Sequence, residues 1–256
     1  MSISMPALFL VTALLYAMVG FGGGSTYNAL LVLAGTDYRI LPTVALICNI
    51  IVVTGGVWRF RQSGTLPFSR TLPFLYASVP AAWIGGRLPI SEFLFIGLLG
   101  TTLFLSGAHL LVSSLRKKQN DIQDTRDIGS LLTALIGGGI GLLSGLVGIG
   151  GGIFLAPVLY FMRWGRPQEI AAACSLFILA NSISGLTGQL TKLYSSELTH
   201  ELFAYWPLAL SVLIGGQIGS WLGALKVPAN TVRLLTALLI LFVSIRLLLR
   251  WFAMMD

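Results

Sequence analysis

Two short glycine runs interrupt stretches of the chain that are otherwise apolar. The first reads GFGGGS from Gly20 to Ser25, and the second reads GIGGGI from Gly148 to Ile153. Each glycine weakens a helix by about 1 kcal/mol relative to alanine, so a helix break is expected at each run. A broken helix presents free backbone N–H groups where its second part begins, and these groups favour anions. We therefore interpret both runs as candidate anion-binding elements.

Hydroxyl and amide side chains near the runs could add hydrogen bonds. Ser25 and Thr26 follow the first run directly, and Asn49 lies in the next apolar segment, while Ser175 and Asn181 lie in the segment after the second run. Asparagine is costly inside a bilayer unless it is hydrogen-bonded, so a ligand contact and a plain interhelical hydrogen bond both remain open. The predicted substrate-binding residues are Gly22, Gly23, Gly24, Ser25, Thr26, Asn49, Gly150, Gly151, Gly152, Ser175 and Asn181.

The composition identifies the environment in which these residues act. Of 256 residues, 55% are hydrophobic and only 10% are charged, whereas a soluble domain has about 25% charged residues. Long uncharged apolar runs indicate membrane-spanning helices, so we predict a multi-pass membrane protein. A soluble enzyme or a nucleic-acid-binding protein would need a polar surface that this chain lacks. The formal charge of +7 is attributed to basic loops at the cytoplasmic side.

Eight apolar segments are predicted, and two of them are unusually long. They cover residues 3–34, 40–58, 71–86, 92–113, 129–162, 170–190, 202–222 and 231–252. About 20 residues suffice to cross the hydrocarbon core, so the first and fifth segments exceed a single simple span. Both contain a glycine run, and each is therefore either a broken helix with an extended end or a re-entrant hairpin.

The two halves of the chain resemble each other. The glycine runs align at an offset of 128 residues, and Thr43 then aligns with Ser175 and Asn49 with Asn181. We predict an all-α integral membrane protein of two four-segment repeats, in which the first segment of each repeat is broken or re-entrant at its glycine run. The predicted division is a first repeat at 1–113, a polar linker at 114–128 and a second repeat at 129–256. Internal repeats are the usual architecture of secondary transporters.

The orientation of the repeats remains open at this stage. If all eight segments span, the repeats are parallel; if the first and fifth are hairpins, each half crosses three times and the repeats are inverted. Arg116, Lys117 and Lys118 directly follow a segment and favour a cytoplasmic linker under either alternative. Arg163 and Arg166 would lie on the cytoplasmic side only in the hairpin alternative. Counting the basic residues on each side favours this alternative slightly.

Several absences narrow the chemistry. All nine carboxylates fall in loops, in the linker or at segment ends, whereas proton-coupled cation transporters usually bury one. The sequence thus favours an anionic solute over a metal cation. Cys48 and Cys174 lie in apolar segments and suggest neither a disulfide nor a zinc site. There is no GxxxxGK[ST] phosphate-binding loop, and we expect no cofactor and no resident metal.

The paired glycine runs and the segment after the second run also resemble a known family. The stretches are VGFGGGS (Val19–Ser25), SGLVGIGGGIFLAPV (Ser144–Val158) and AAACSLFILANSISG (Ala171–Gly185). They are similar to the TauE/SafE sulfite exporters of the toluene sulfonate uptake permease group. The first half departs from the pattern, because no proline follows its glycine run.

The resemblance implies an all-α permease of the inner membrane that transports sulfite, sulfonates or related sulfur-containing anions. We expect a secondary transporter with a small anion as substrate, the lipid bilayer as surroundings and no nucleic-acid partner; self-association is left open. A passive anion channel is the first alternative. The second is an intramembrane hydrolase with Ser25 as nucleophile and His109 as base, which would need both side chains within hydrogen-bond reach.

Overall fold

The computed structural model describes residues 4–18, 20–115, 129–193, 202–222 and 229–255, and within these ranges it contains helices and no strands. The linker predicted at 114–128 lies outside the described residues except for its first two, which belong to a helix. Helices of ten residues or more are α1 (Ser4–Met18), α2 (Gly24–Leu33), α3 (Leu41–Gln62), α4 (Phe68–Arg87), α5 (Glu92–Leu115), α6 (Ser130–Val147), α7 (Gly152–Phe161), α8 (Pro167–Leu193), α9 (Trp206–Leu222) and α10 (Ala229–Ala253).

The helices agree with the predicted segments. The first and fifth segments are each divided at the glycine run, into α1 and α2 and into α6 and α7. Four helices within the described ranges are long and apolar enough to cross a membrane, namely α3, α5, α6 and α8. The short third segment is a 20-residue helix, α4, that contains Pro73 and Pro80. By contrast, α2 and α7 have ten residues each and are about 15 Å long, half the thickness of the hydrocarbon core.

Glycine spacing brings α4 and α6 into close backbone contact. A Cβ added to Gly137 would meet the backbone of Phe74, and one added to Gly145 would meet the backbone of Ala82. The contacts move toward the C-terminal end of both helices together, so α4 and α6 run parallel. Small residues at four-residue spacing allow such an approach between membrane helices. These glycines therefore pack helices against each other.

Helices α1 and α9 pack in the same way. Gly215 lies against the backbone of Leu10, and Gly219 lies against that of Leu14, so these helices also run parallel. The central pair is antiparallel: Gly56 of α3 faces Ser175 early in α8, whereas the late α8 residue Gly185 faces Leu46 early in α3.

The first glycine run turns the chain back on itself. The ring of Phe9 in α1 stacks on that of Tyr27 in α2, with 4.8 Å between their centroids. The loop after α2 contacts the residue that precedes α9, because Tyr205 Oη lies 3.4 Å from Thr36 Oγ1. Since α9 runs parallel to α1, both helices begin at the same end of the bundle. The contact therefore shows that the chain leaves α2 at the end where α1 begins.

The second glycine run has the same effect at the opposite end. The guanidinium of Arg70, in the first turn of α4, donates to Trp164 O and lies 4.4 Å from the centre of the Trp164 ring. Trp164 follows α7, and α6 runs parallel to α4, so the chain leaves α7 at the end where α6 begins. We name this end the Arg70 end and the opposite one, where Glu92 pairs with Arg250, the Glu92 end. The contacts at the two ends of the bundle fit re-entrant hairpins, because each broken segment ends at the side where it begins.

The outward surface is apolar. Large hydrophobic side chains are exposed on many helices, among them Tyr76 at 75%, Leu131 at 75% and Phe161 at 91%. A soluble monomer rarely exposes so much contiguous apolar area. This surface suits lipid chains, and the protein is a multi-pass membrane protein.

Candidate functional site

The two half-length helices begin inside the protein at glycines. The N-cap of α2 is Gly23, with φ 89°, and the N-cap of α7 is Gly151, with φ 83°. Both values lie in the left-handed region that favours glycine. Neither N-cap makes a side-chain hydrogen bond, so the first N–H groups of both helices lack the side-chain cap that commonly satisfies such groups. Two positive helix ends therefore lie within the membrane part of the fold.

Asn49 connects the two breaks. Its Nδ2 donates to Ile149 O at 3.2 Å, and a Cβ added to Gly150 would lie 2.8 Å from the same nitrogen. From the first break, Gly22 and Gly24 lie so close to the Asn49 amide that neither leaves space for a Cβ. The structure thus brings Gly22, Gly24 and Gly150 together around one fully buried side chain.

Ser175 contacts the first break from the opposite half of the chain. Its Oγ is in hydrogen-bond contact with Gly20 O and also with Ala171 O of its own helix, at 3.0 Å for the latter. This serine is fully buried. It therefore ties α8 to the chain turn that precedes α2.

Asn181 behaves differently from its sequence equivalent Asn49. Its Nδ2 donates at 2.9 Å to Phe177 O, one turn earlier in α8. The break-facing residues of this helix are its neighbours: Ile178 lies against Gly150 and Gly152, and Phe177 lies against Gly151. Asn181 is buried, but its recorded hydrogen bond stays within its own helix.

The hydroxyl residues after the first run point into the protein. Ser25 and Thr26 are each 2% exposed. Thr26 Oγ1 lies 2.8 Å from Tyr16 Oη, and this contact links α2 to α1. Gly23 packs against Thr12 and the ring of Tyr27. The first break is consequently fixed in position by side chains of both helices of its hairpin.

Sequence reasoning missed two amides that also bind the second break. Asn28 Nδ2 donates to Val147 O at 2.9 Å, and Gln189 Nε2 donates to Gly145 O at 2.8 Å. Asn28 stands in the apolar run of α2, and Gln189 is one of several polar residues in α8. A buried amide inside an apolar helix is the signal that points to them, because such a group requires a partner.

Many charged side chains of the described residues lie near the two ends of the bundle. At the Glu92 end, a cavity of about 440 Å³ lies between the loop after α2 and the neighbouring ends of α5 and α10, with Asp37, Arg39, Glu92 and Arg250 among its lining residues. Asp37 pairs with Arg39, and Glu92 pairs with Arg250, each at 2.6 Å. The hydrogen bond from the Arg39 side chain holds the pKa of Asp37 below its usual value.

The Arg70 end carries more basic than acidic side chains. Arg59 and Arg61 close α3, Arg70 lies in the first turn of α4, and Arg163 and Arg166 lie between α7 and α8. Within the described ranges, Glu169 is the acidic residue at this end, and its carboxylate accepts a hydrogen bond from the Arg166 backbone N–H at 2.8 Å. The described part of this end is therefore net positive.

The described residues contain no group of three or more His, Cys, Asp or Glu side chains placed to hold a metal ion. Cys48 and Cys174 are free thiols and are buried. The arrangement offers main-chain N–H groups, hydroxyls and amides at the two breaks. Such groups can bind and release a solute.

Comparisons with known proteins agree with this arrangement. The family described as "Sulfite exporter TauE/SafE" matches residues 5–247. The "Probable membrane transporter protein y4hK" of Sinorhizobium fredii is 30% identical over 247 residues, which cover 96% of this chain and 98% of that protein. A "Probable membrane transporter protein" of Haemophilus influenzae is 36% identical over 66 residues, a quarter of each chain. The comparison with solved structures found no match.

The family match spans both glycine breaks and all ten helices at least in part. The match to the Sinorhizobium fredii transporter extends over almost the full length of both chains. The chain is a membrane transporter homologue and belongs to the TauE/SafE sulfite exporter family.

Proposed function

We propose that this protein is a secondary transporter for a small anion, a sulfur oxyanion such as sulfite or an organosulfonate. The observation that carries the proposal is that the first residue of α2, Gly24, and the loop leading into α7, at Gly150, both lie against Asn49. The N-termini of α2 and α7 have no side-chain cap, and they supply N–H donors and positive dipole ends on either side of this buried junction. Ser25, Thr26, Asn49, Ser175 and Asn181 add hydrogen-bonding groups near it.

The packing pattern supports two inverted repeats. Exchanging α1 to α5 with α6 to α10 converts the α1–α9 pair into the α6–α4 pair, and both pairs are in extensive contact. The α3–α8 and α5–α10 pairs convert into themselves. The hairpins open toward opposite ends of the bundle, which is the relation expected for a two-fold axis in the membrane plane.

This arrangement supports a mechanism of alternating access. Each break is held by a helix of the other half, because Asn49 binds the second break and Ser175 contacts the first. Rocking of one half against the other would open the site toward one membrane face at a time. We infer that the Arg70 end faces the cytoplasm, because the positive-inside rule favours this side for its arginines and for the basic residues of the linker.

The cytoplasmic end also suits an anionic substrate. The Nη1 atom of Arg59, in the last turn of α3, is buried and has no hydrogen-bond partner. Its neighbour Phe60 contacts Gly20 at the first break. A cation at this position attracts anions toward the break from the cytoplasmic face.

Ligand binding is tested with purified protein and a panel of sulfite, thiosulfate, sulfate, taurine, sulfoacetate and aromatic sulfonates. We expect at least one sulfur anion to raise the unfolding temperature in a saturable way, because a ligand that binds only the folded state stabilises it. Stabilisation by none of these anions would contradict the proposal.

Transport is then measured with the best ligand in proteoliposomes. Saturable flux with counter-flow exchange supports a transporter, whereas flux without either property indicates a channel. Gly24→Ala is expected to reduce transport at least about tenfold, because its Cβ would lie 2.8 Å from Ile149 O and would force the two breaks apart. Gly139→Ala is the matched control, since no atom lies within 4 Å of its added Cβ. An equal loss of transport in both variants would contradict a specific role of the breaks in transport.

A further inference from the structure

We propose that the second break also binds a small monovalent cation, Na⁺, at the C-terminal end of α6. As a coupling site it rests on the proposed anion transport, but binding of the cation alone can be measured without any sulfur anion. The proposal begins from three buried amides that surround this helix end.

Three helices each send one amide to the last residues of α6 and the loop that follows. Asn28 of α2 donates to Val147 O at 2.9 Å, Asn49 of α3 donates to Ile149 O at 3.2 Å, and Gln189 of α8 donates to Gly145 O at 2.8 Å. All three side chains are fully buried. The C-terminal carbonyls that a helix leaves unpaired are thus satisfied by amide N–H groups.

These hydrogen bonds fix the orientation of each amide. A main-chain carbonyl can only accept, so the atom facing it must be the NH₂ group and the remaining atom must be the oxygen. This orientation assigns the remaining amide atoms as oxygens, namely Asn28 Oδ1, Asn49 Oδ1 and Gln189 Oε1. Each of these oxygens is buried without a hydrogen-bond partner. Leaving a buried acceptor unpaired costs about 1–3 kcal/mol, so a partner is expected for them.

An anion cannot be that partner, because it would face the negative ends of the amide dipoles. The C-terminal end of α6 also favours positive charge. Ca²⁺ and Mg²⁺ sites rely on carboxylates, and within the described ranges no carboxylate cluster supplies them. Transporters coordinate Na⁺ with unwound main-chain carbonyls and with the C-terminal ends of interrupted helices, and neutral side-chain oxygens beside such a helix end can complete the site.

The hydroxyls around this helix end add further oxygens. Ser144 Oγ, Thr43 Oγ1 and Ser182 Oγ are buried without a hydrogen-bond partner. Ser182 lies near Gly150, and Pro42, next to Thr43, lies against Gly148. None of the amides or hydroxyls titrates near neutral pH, so they can ligate a cation but cannot carry a proton.

The cation would lie beside the anion. Gly24, the first residue of α2, lies against both Ile149 O and the Asn49 amide. Asn49 Nδ2 faces the second break, whereas its Oδ1 lies beside Gly22 and Gly24 of the first break, so a cation held by this oxygen would lie between the two breaks. Binding of one charge lowers the cost of burying the other, so each ion is expected to strengthen binding of its partner.

The test uses purified full-length protein and no sulfur anion. NaCl replaces N-methylglucamine chloride at constant ionic strength, with KCl as a second series, and the unfolding temperature is recorded. We expect a saturable rise with Na⁺ that exceeds the rise with K⁺. Asn28→Ala and Asn49→Ala are expected to raise the half-saturating Na⁺ concentration at least about tenfold, which corresponds to a loss of about 1.4 kcal/mol in binding free energy.

Ser106→Ala is the control, because this buried hydroxyl in α5 bonds to Thr102 O of its own helix and belongs to neither break; it should keep the wild-type Na⁺ response. The Na⁺ response of each variant is the change from its own unfolding temperature in N-methylglucamine chloride. A variant that is only less stable therefore still shows an unchanged Na⁺ response. Where an alanine variant gives no monodisperse protein, Asn→Ser at the same position replaces it.

The cation site would be overturned by a wild-type protein with no response specific to Na⁺, or by a response that survives in both alanine variants. Anion binding that depends on pH but not on Na⁺ would also overturn it, in favour of a protonated substrate. A Na⁺ response without any response to sulfur anions would instead remove the proposed transport function and leave the cation site.

Discussion

The two glycine breaks have nearly the same sequence but different surroundings. After α1, the chain turns with main-chain hydrogen bonds from Phe21 N to Tyr16 O at 2.9 Å and from Gly20 N to Ala17 O at 3.2 Å. Ser175 then contacts Gly20 O. After α6, one main-chain bond, Gly148 N to Ser144 O at 2.8 Å, is followed by three side-chain amides.

This difference shows that a repeated motif need not build a repeated site. Both breaks present a helix N-terminus, and so both can contribute donors to an anion. The second break additionally accepts three amide N–H groups, and the oxygens of these amides are buried without a hydrogen-bond partner. The two halves of the centre are therefore chemically complementary, and the following variants test that difference.

The largest difference is expected between two asparagines at equivalent sequence positions. Asn49→Ala removes the hydrogen bond to Ile149 O and leaves that carbonyl without its side-chain donor, so we expect a loss of about 2–3 kcal/mol in unfolding free energy. Asn181→Ala should cost only about 0.5–1 kcal/mol, the net contribution of an ordinary hydrogen bond, because its bond partner belongs to its own helix and no other element loses a donor. Unfolding of the purified variants measures both. Equal losses would show that the two breaks depend equally on their asparagines.

A smaller difference is expected between Ser175 and its equivalent Thr43. Ser175→Ala removes the contact with Gly20 O and should lower the unfolding free energy by about 1 kcal/mol. Thr43→Val keeps the side-chain shape and removes a buried hydroxyl that has no hydrogen-bond partner. We expect this change to be neutral or slightly stabilising, as measured by thermal unfolding without Na⁺. A larger loss for Thr43→Val than for Ser175→Ala would reverse the comparison.

The smallest effect is expected in the loop that follows the first hairpin. Because Arg39 lowers the pKa of Asp37, this carboxylate stabilises the fold above its usual pKa of about 3.9. That contribution disappears as the pH falls through the lowered native pKa. Asp37→Asn should remove it and cost about 0.5 kcal/mol or less at neutral pH, as for other exposed ion pairs. Unfolding temperatures between pH 3 and pH 7 test this, and a variant curve parallel to wild type would contradict it.

Much of the fold was predictable from the sequence. The eight apolar segments correspond to the described helices or hairpins, and the breaks fall at the glycine runs, as expected. Helix limits were less accurate where prolines occur, since α4 continues through Pro73 and Pro80; neighbouring helices in a membrane can accommodate the lost hydrogen bonds. The topology remained open because charge counting separates the two alternatives by only a few residues.

The candidate site was predictable only in part. The glycine runs and Asn49 were identified, and the structure places Gly22, Gly24 and Gly150 against Asn49. The contributions of Asn28 and Gln189 were missed, because neither belongs to a repeated pair. Asn181 was predicted to match Asn49, but its recorded hydrogen bond is within α8. Sequence equivalence does not determine which carbonyl a side chain can reach.

By itself, the sequence determined the bilayer environment, the positions of the helices and the two breaks within them. These features depend on local composition, because hydrophobicity and glycine content act over a few residues. Only the tertiary structure decided how the breaks meet and which polar groups surround each one. The decisive hydrogen bonds join residues far apart in the chain, 100 positions from Asn49 to Ile149 and 119 from Asn28 to Val147. Such contacts depend on how whole helices pack, and no local pattern encodes them.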